Sequence, residues 1–340
     1  MSKPTARDLA SAAGVSLSTV DRVLNNRGGV SKDRERRVLE HARKLKIDRA
    51  LNQRPSRTLR IAVLLQQRSN PFHALVQDHF EAANRDFAFY NLQFQVYHIN
   101  HLRPAATAQL INSLSSRCDA LAIISPQNAA IAGALRAFGQ GGKPVVTLVT
   151  DLRDAERYAY VGPDNKKAGR VAGDLMGRLL GEDGGEVVVI AGLISMIGHE
   201  EREIGFRTVL RERYPRCKVT EVLESMERGD MAGDLVFNAL RKNPAIRGIY
   251  NASAGAQTVV NAMTKLSKNK EVIFITHELT KDRRQLMRDG MIDAIIDQDP
   301  ETEVRTAVEV LAAYFGRRDE SHPEAAIDIL EKKGESIQLL

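Results

Sequence analysis

From Leu59 onward, short apolar runs alternate with amphipathic stretches, and this alternation limits the fold more than any other feature of the chain. RIAVLL precedes PFHALVQDHFEAANRDF, FQVYHI precedes PAATAQLINSL, DALAIIS precedes an Ala-rich helix, and PVVTLV follows. The pattern resumes in EVVVIAG, RGIYNAS, EVIFITHE and DAIIDQDP, each leading into a helical period. A strand that is apolar on both faces must be covered on both, so strands of this kind form parallel sheets with helices on either side. The roughly 280 residues from Leu59 to the end of this 340-residue chain are too many for one such sheet. The expected architecture is therefore α/β, with two lobes and a cleft between them. Lobe 1 is expected at 59–161 plus 297–320, and lobe 2 at 162–296 plus 321–340.

The chain before Leu59 has a different texture. Residues 1–60 hold 15 Lys and Arg against 6 Asp and Glu, net +9, whereas the remainder is net −3. A basic head on a slightly acidic body points to a polyanion partner for the head alone. The head reads as three short helices. Thr5 followed by Asp8 is a capping-box start for ARDLASAA. Gly14 supplies a tight turn, Ser16 caps LSTVDRVLNN, and Ser31 caps KDRERRVLEHARKLK. The domain expectation is a head over 1–47, a polar linker over 48–58 broken by Pro55, and the body from 59 to 340.

Two capped helices joined at a glycine form a helix-turn-helix pattern, whose second helix enters the DNA major groove. In that helix Val20, Val23 and Leu24 pack inward, while Leu17, Ser18, Asp21 and Arg22 face out. Arg22 can pair bidentately with guanine, and Leu17 and Ser18 allow close groove contact. Ser16, Thr19, Asn25 and Lys32 are candidates for phosphate contacts, which position without reading sequence. Thr5 joins the candidate DNA contacts. The same features also fit a small basic helical bundle bound to RNA or to a protein.

The stretch ARDLASAAGVSLSTVDRVLNNRGGVSKDRERRVLEHARKL closely resembles the headpiece of the lactose-repressor (LacI/GalR) family of bacterial transcription regulators. Its A-x-x-AGVS-xx-TV-x-RVLN core carries the likeness. The resemblance implies an all-α helix-turn-helix headpiece, a hinge, and a two-lobed effector domain like the periplasmic binding proteins. It implies that Leu17 and Ser18, the pair after Val15-Ser16, set operator preference. It also implies a homodimer on a pseudo-palindromic double-stranded DNA operator. Members usually carry a hinge helix that wedges an apolar residue into the minor groove. The linker lacks the usual Ala-x-x-Leu pattern, and Leu51 is its bulky candidate.

In open parallel sheets the binding residues lie at the carboxyl ends of strands. The polar residues after each apolar run are Gln66, Asn70 and Phe72; Gln127; Thr150 and Asp151; Arg202; Asn251 and Ser253; His277 and Glu278; and Asp297, Gln298 and Asp299. Amides, carboxylates, an arginine and an aromatic face suit a polyhydroxylated ligand. SNPFHALVQDHFEAA is similar to the first strand-to-helix segment of the ribose-type periplasmic binding proteins, whose Asn and Phe contact sugar. EREIGFRTVL is similar to the segment whose arginine grips the ligand, here Arg202. FITHEL and IIDQDP resemble two further ligand-binding strand ends, with Glu278 where the family has Asp, and with Gln298. NASAGAQ aligns ambiguously, leaving Asn251 or Ser253. Arg202 and Gln298 are expected to hold a small carbohydrate-like effector (a sugar, polyol or sugar derivative) from opposite lobes. Plainer readings stay open: Arg202 paired with Glu200 or Glu203, His277 as a helix cap, Gln298 in a turn, Phe72 in the core.

Other function classes fit less well. No apolar run approaches the ~18 residues a membrane span needs, so no membrane partner is expected. Cys118 and Cys217 are the only cysteines, too few for a disulfide framework or a four-cysteine zinc site. The start, MSKPTARDLASAAG, lacks the apolar segment of a secretory signal. With the basic head, this favours a cytoplasmic regulator over a periplasmic transport receptor, the alternative reading. HEER at 199–202 and HELT at 277–280 lack the second histidine of a zinc protease, because Glu203 and Lys281 stand there. GLISMIG is not a nucleophile elbow. His98 and His101 lack a third metal ligand. The expectation is a sequence-specific regulator, read as a repressor, with no catalytic residue, metal or cofactor.

Overall fold

The computed structural model describes residues 4–24, 29–45, 47, 57–317 and 337–339. The chain divides into two compact units, Met1–Thr58 with Phe89–Asn91, and the remainder from Leu59.

In the first unit, α1 spans Ala6–Ala13, α2 Leu17–Leu24 and α3 Lys32–Lys44. The Thr5 amide donates to Asp8 Oδ2 at 2.7 Å, and the Asp8 amide donates back to Thr5 Oγ1 at 3.4 Å, a reciprocal capping box. The Thr5 amide and hydroxyl, which both donate to Asp8 Oδ2 at 2.7 Å, hold the Asp8 carboxyl below its ordinary range. Gly14 ends α1 at φ 61°, a left-handed conformation that glycine adopts without a Cβ penalty. Ser16 Oγ then accepts the Thr19 amide at 3.2 Å and opens α2. The two caps set the helices around one small core of Leu9, Ala13, Val20, Val23, Val38 and Ala42.

The body contains two parallel sheets. The first runs in the order β11-β5-β4-β3-β1-β2 and the second β10-β9-β8-β6-β7. In the first, β1 is Leu59–Leu65, β2 Leu92–His98, β3 Ala120–Ile123, β4 Val145–Leu148, β5 Ala159–Pro163 and β11 Ile337–Leu339. In the second, β6 is Gly185–Ala191, β7 Cys217–Glu224, β8 Ile246–Asn251, β9 Ile273–His277 and β10 Ala294–Ile296. The central strands β1, β3 and β4 are almost wholly buried, which is why they read as apolar runs.

The end of the chain departs from expectation. Residues 321–340 are expected in lobe 2, yet Ile337–Leu339 pairs in parallel with β5 in the first sheet. β4 occupies one side of β5, and the unpaired N–H and C=O groups on its other edge take up this strand. The run AAIDIL lies outside the described residues.

The helices that connect the strands of the first sheet are α4, Pro71–Asp86, α5, Pro104–Leu114, and α6, Ala129–Gln140. α7, Asn165–Leu180, leads from β5 into the second sheet, whose strands are joined by α8, Ile197–Arg213, α9, Gly229–Lys242, α10, Ala256–Lys265, and α11, Lys281–Arg288. α12, Pro300–Tyr314, follows β10. Three of these, α4, α7 and α8, position the cleft. α7 and α8 meet backbone to backbone. A Cβ at Gly169 would overlap the Arg202 carbonyl, and one at Gly205 would overlap the Lys166 carbonyl. The glycines at 169, 173 and 177 recur every four residues on one face of α7. That spacing, not singled out in the sequence, lets α8 approach closely enough to seat Arg202 against the crossover from β5 to α7.

Candidate functional site

On the head, α2 buries Val20 and Val23 and leaves Leu17, Ser18 and Arg22 exposed, with Leu17 46% exposed. With Asp21, also exposed, these outward residues share one side of a short helix, the arrangement a groove-reading helix requires. Ser16 Oγ lies 2.9 Å from Ser18 Oγ and 2.8 Å from Thr19 Oγ1, so its hydroxyl is engaged in the cap. Thr5 is likewise engaged in the capping box. A polar hollow of about 470 Å³ beside α2 is lined by Ser18, Thr19, Arg22 and Arg34 among others. Arg34 comes from α3. Asn25, Leu51 and the Lys32 side chain lie outside the described residues.

In the body, the carboxyl ends of both sheets face a cleft. Its inner cavity, about 30 Å³, is lined by Asn70, Phe72 and Thr150 of one lobe and His199, Arg202, Glu227 and Glu278 of the other, with further residues from both. An outer chamber of about 490 Å³ shares Asn70 and Glu227 with it. The lobes are bonded to each other across the cleft. Asn70 Nδ2 donates to Glu227 Oε2 at 3.3 Å, and the Gly198 amide donates to Thr150 Oγ1 at 2.9 Å. The Gln127 amide donates to the Ser195 carbonyl at 2.7 Å, a bond between the β3 loop and the β6 loop that uses only backbone groups.

Arg202 is 2% exposed and lies at the floor of the cleft. Its Nε donates to Asn165 Oδ1 at 2.7 Å, Nη1 to the Ala252 carbonyl at 3.2 Å, and Nη2 to Gln298 Oε1 at 2.8 Å. Arg202 and Gln298 therefore touch each other, and do not face one another across the cleft as expected. Asn165 stands at the crossover from β5 to α7, and Gln298 at the crossover from β10 to α12. One guanidinium thus ties together both crossovers. Glu303 of α12 lies close enough for Arg202 to act on its charge, and its carboxyl oxygens have no hydrogen-bond partner among the described residues. Burial pushes that carboxyl well above its ordinary range, with Arg202 opposing.

The remaining strand-end candidates divide by what their side chains touch. Asn70 caps α4 by accepting the Phe72 amide at 3.1 Å, and Phe72 is buried on the cavity wall. Glu278 also lines the cavity and is ion-paired with the buried Arg283. His277 turns away from the cleft: its Nε2 lies 2.7 Å from the Tyr250 hydroxyl, and burial keeps its imidazole well below the ordinary histidine range. Asn251 folds back on its own loop, accepting the Ser253 amide at 3.1 Å, while Ser253 Oγ lies 3.3 Å from Ser225 Oγ. Gln127 is held by the Arg153 amide at 3.0 Å and by Asp154 at 3.3 Å.

Asp151 is bound to Arg157 through both oxygens, the second at 2.6 Å, and accepts from Thr147 at 2.8 Å. Burial alone would raise its carboxyl, but the bonds from Arg157, Thr147 and Leu152 outweigh it and hold the carboxyl below its ordinary range. Asp151→Ala is expected to destabilise the body by about 1.5–3 kcal/mol, the range for a lost bond to a charged group, and to leave ligand affinity unchanged. The native value is the lower one, so this stabilisation is present above the unfolded value of about 3.9 and disappears as pH falls through the native one. Thermal melts of both proteins at pH 7 and at pH 3, with calorimetry at pH 7, check both parts.

Three titratable side chains of the inner cavity are not among the strand-end candidates: His73, His199 and Glu227. His73 directly follows Phe72, and its Nδ1 accepts the Gln66 amide at 3.3 Å. Burial lowers the imidazoles of His73 and His199 to about 3, so both are neutral. Glu227 follows β7, an edge strand whose alternating exposure hides it from a search for apolar runs. Among the described residues, no group of three or more His, Cys, Asp or Glu is placed to hold a metal ion, and no helix is long and apolar enough to cross a membrane.

Comparison with known proteins gives two family matches. Residues 5–46 match the family of bacterial regulatory proteins called the lacI family, and residues 61–318 match a periplasmic binding protein domain. Neither matched family is one of enzymes. The ribose import binding protein RbsB of Salmonella typhimurium strain LT2 is 22% identical over 253 residues, covering 74% of this chain and 82% of that protein. The D-allose-binding periplasmic protein of Escherichia coli K12 is 27% identical over 143 residues, 42% of this chain and 46% of that one. A solute binding protein of an ABC transporter from Burkholderia graminis, solved with D-arabinose, has a TM-score of 0.72 at 23% identity, covering 78% of this chain and 92% of that one. At these identities the structural likeness establishes the fold of the body.

Proposed function

Because the chain belongs to the lacI family of bacterial regulatory proteins and carries a periplasmic binding protein domain as its body, we propose that it is a cytoplasmic repressor whose grip on DNA is set by a small carbohydrate-like effector in the cleft. It is a DNA-binding regulator by family. In this reading residues 1–47 read a pseudo-palindromic operator as part of a homodimer, 48–58 form the hinge, and the body from 59 carries effector binding. Leu17, Ser18 and Arg22 face the bases. Asn70, Phe72, Arg202, Glu278 and Gln298 serve the effector. The ribose-, allose- and arabinose-binding relatives support the ligand class.

The observation that carries this reading is the position of Arg202. A ligand bound in the cleft sits against a guanidinium that holds both crossovers between the lobes, Asn165 on one and Gln298 on the other. Occupancy is thereby converted into a change at the hinge of the body, which is what an effector must accomplish.

The DNA half is tested by selecting bound sites from a random duplex pool and comparing Arg22→Ala with the unaltered chain. Arg22→Ala is expected to weaken the selected site by about 1–3 kcal/mol and to relax preference at one base pair, with a smaller loss on random DNA. Equal losses on both would remove Arg22 from the groove.

A further inference from the structure

We propose that Glu227 is a ligand-gripping carboxylate of the cleft, and that together with Glu278 it selects uncharged polyhydroxylated effectors over anionic ones, sugar acids and sugar phosphates included. The proposal rests on the reading of the cleft as the effector site and narrows its ligand class.

The Glu227 side chain is 6% exposed and lines both the inner cavity and the outer chamber. Asn70 occupies its Oε2, whereas Oε1 has no hydrogen-bond partner among the described residues. His199 Nε2 stands 3.6 Å from Oε1, beyond hydrogen-bond length. An unsatisfied acceptor on a side chain that lines a cavity is a place for a donor from outside. The backbone is arranged to put it there. Met226 and Glu227 are consecutive left-handed residues, at φ 53° and 58°, a strained conformation that concentrates at ligand clamps. Gly192 leaves the carboxylate its space, since a Cβ there would overlap Oε1.

Charge decides which ligand can use this acceptor. Three arginines line the cavity and the outer chamber, and two of them are ion-paired, Arg228 with Asp230 at 2.6 Å and Arg283 with Glu278. Arg202 is bonded to three neutral acceptors, and Arg283 also donates to the His277 carbonyl at 2.8 Å. The neighbouring histidines His73 and His199 are neutral and supply no positive charge. Glu278 cancels Arg283, and the ionised Glu227 cancels Arg202, so an anion meets no net positive charge to offset the loss of its hydration. A ligand hydroxyl donates to Oε1 without that penalty.

The same geometry gives a pH signature. Burial, reinforced by the charge of Glu278, raises the Glu227 carboxyl to about 7. The groups facing it are His73, His199 and His101, all lowered by burial, and Glu278, Arg202 and Arg283. Arg228 and Asp282 stand exposed on the outer chamber. A donor ligand favours the ionised carboxylate, so affinity rises with pH through neutrality.

Calorimetry on the full chain, with D-ribose against D-ribose 5-phosphate and D-galactose against D-galacturonate, at pH 6 and pH 8, tests this. The uncharged member of at least one pair is expected to bind at least about tenfold tighter than its anionic partner, and tighter at pH 8. Glu227→Gln is expected to weaken that binding about 10- to 100-fold and to flatten its pH dependence. If that variant does not fold, the comparison of pairs and the pH profile of the unaltered chain decide. An anionic member binding as tightly as its parent, or a Glu227→Gln protein with unaltered affinity and pH profile, overturns the inference and leaves the cleft as an effector site. Binding of no sugar in any pair contradicts the carbohydrate reading of the cleft, and the inference with it.

Discussion

A chain carrying Leu9→Ala is expected to lose DNA binding while its body keeps its fold and its ligand. Leu9 is fully buried among Ala13, Val20, Val23, Val38 and Ala42, the whole buried core of the described head. Truncating a buried leucine costs about 2–5 kcal/mol, because the neighbours collapse only partly into the space. A unit of some 45 residues is worth only about 2–7 kcal/mol at the usual stability per residue. One substitution thus removes most or all of the head's stability. The body has cores of its own, whose described residues all lie beyond Leu59. Fluorescence anisotropy on duplex DNA should fall to background, while calorimetry with a cleft ligand and the melting of the body stay unchanged. DNA affinity within about threefold of the unaltered chain would show that the head tolerates the cavity, and that its small core is not what limits it.

Arg202→Ala is expected to have the largest effect in the body. The substitution strands three acceptors, Asn165 Oδ1, the Ala252 carbonyl and Gln298 Oε1, in a buried site. Each unpaired buried group costs about 1–3 kcal/mol. Some of this is recovered when the two amides reorient, so a loss of about 3–5 kcal/mol in body stability is expected, the range for breaking a buried charged network. Ligand affinity should fall about 100-fold or more, since the ligand loses its partner at the cleft floor and the crossovers lose their common tie. Arg202→Lys keeps the charge but not the planar fork that reaches three acceptors, and should recover little. Thermal melts and calorimetry on both variants measure these effects. An Arg202→Ala protein as stable as the original would mean that the network at the crossovers holds nothing together.

Much of the fold was legible because its signals are local or run the length of a strand. The capping box at Thr5 and Asp8 and the turn at Gly14 involve residues a few positions apart. The central strands are buried on both faces and so appear as unbroken apolar runs. β7 escaped notice because an edge strand keeps polar residues along it, and Glu227 at its end was lost with it. The strand-end rule picks positions, not directions. It selected His277 and Glu278 together, though one side chain bonds Tyr250 in the lobe core and the other lines the cleft. It selected Asp151 and Gln127, whose side chains are taken by neighbouring loops. The Arg202 network joins residues 37 and 96 positions away, and no single sequence shows which of many polar residues will meet. The pairing of Ile337–Leu339 with β5 depends on how the chain crosses between lobes, which periodicity does not reveal.

The central claim is that the cleft controls the head. The most direct measurement is the affinity of the full chain for its selected DNA site, by anisotropy at fixed salt, with and without a sugar that calorimetry shows to bind. The account predicts a change of at least about tenfold, a coupling of roughly 1.4 kcal/mol, and no change in Arg202→Ala, whose cleft no longer takes the ligand. A sugar that saturates the cleft of the unaltered chain and leaves its DNA affinity the same would contradict it.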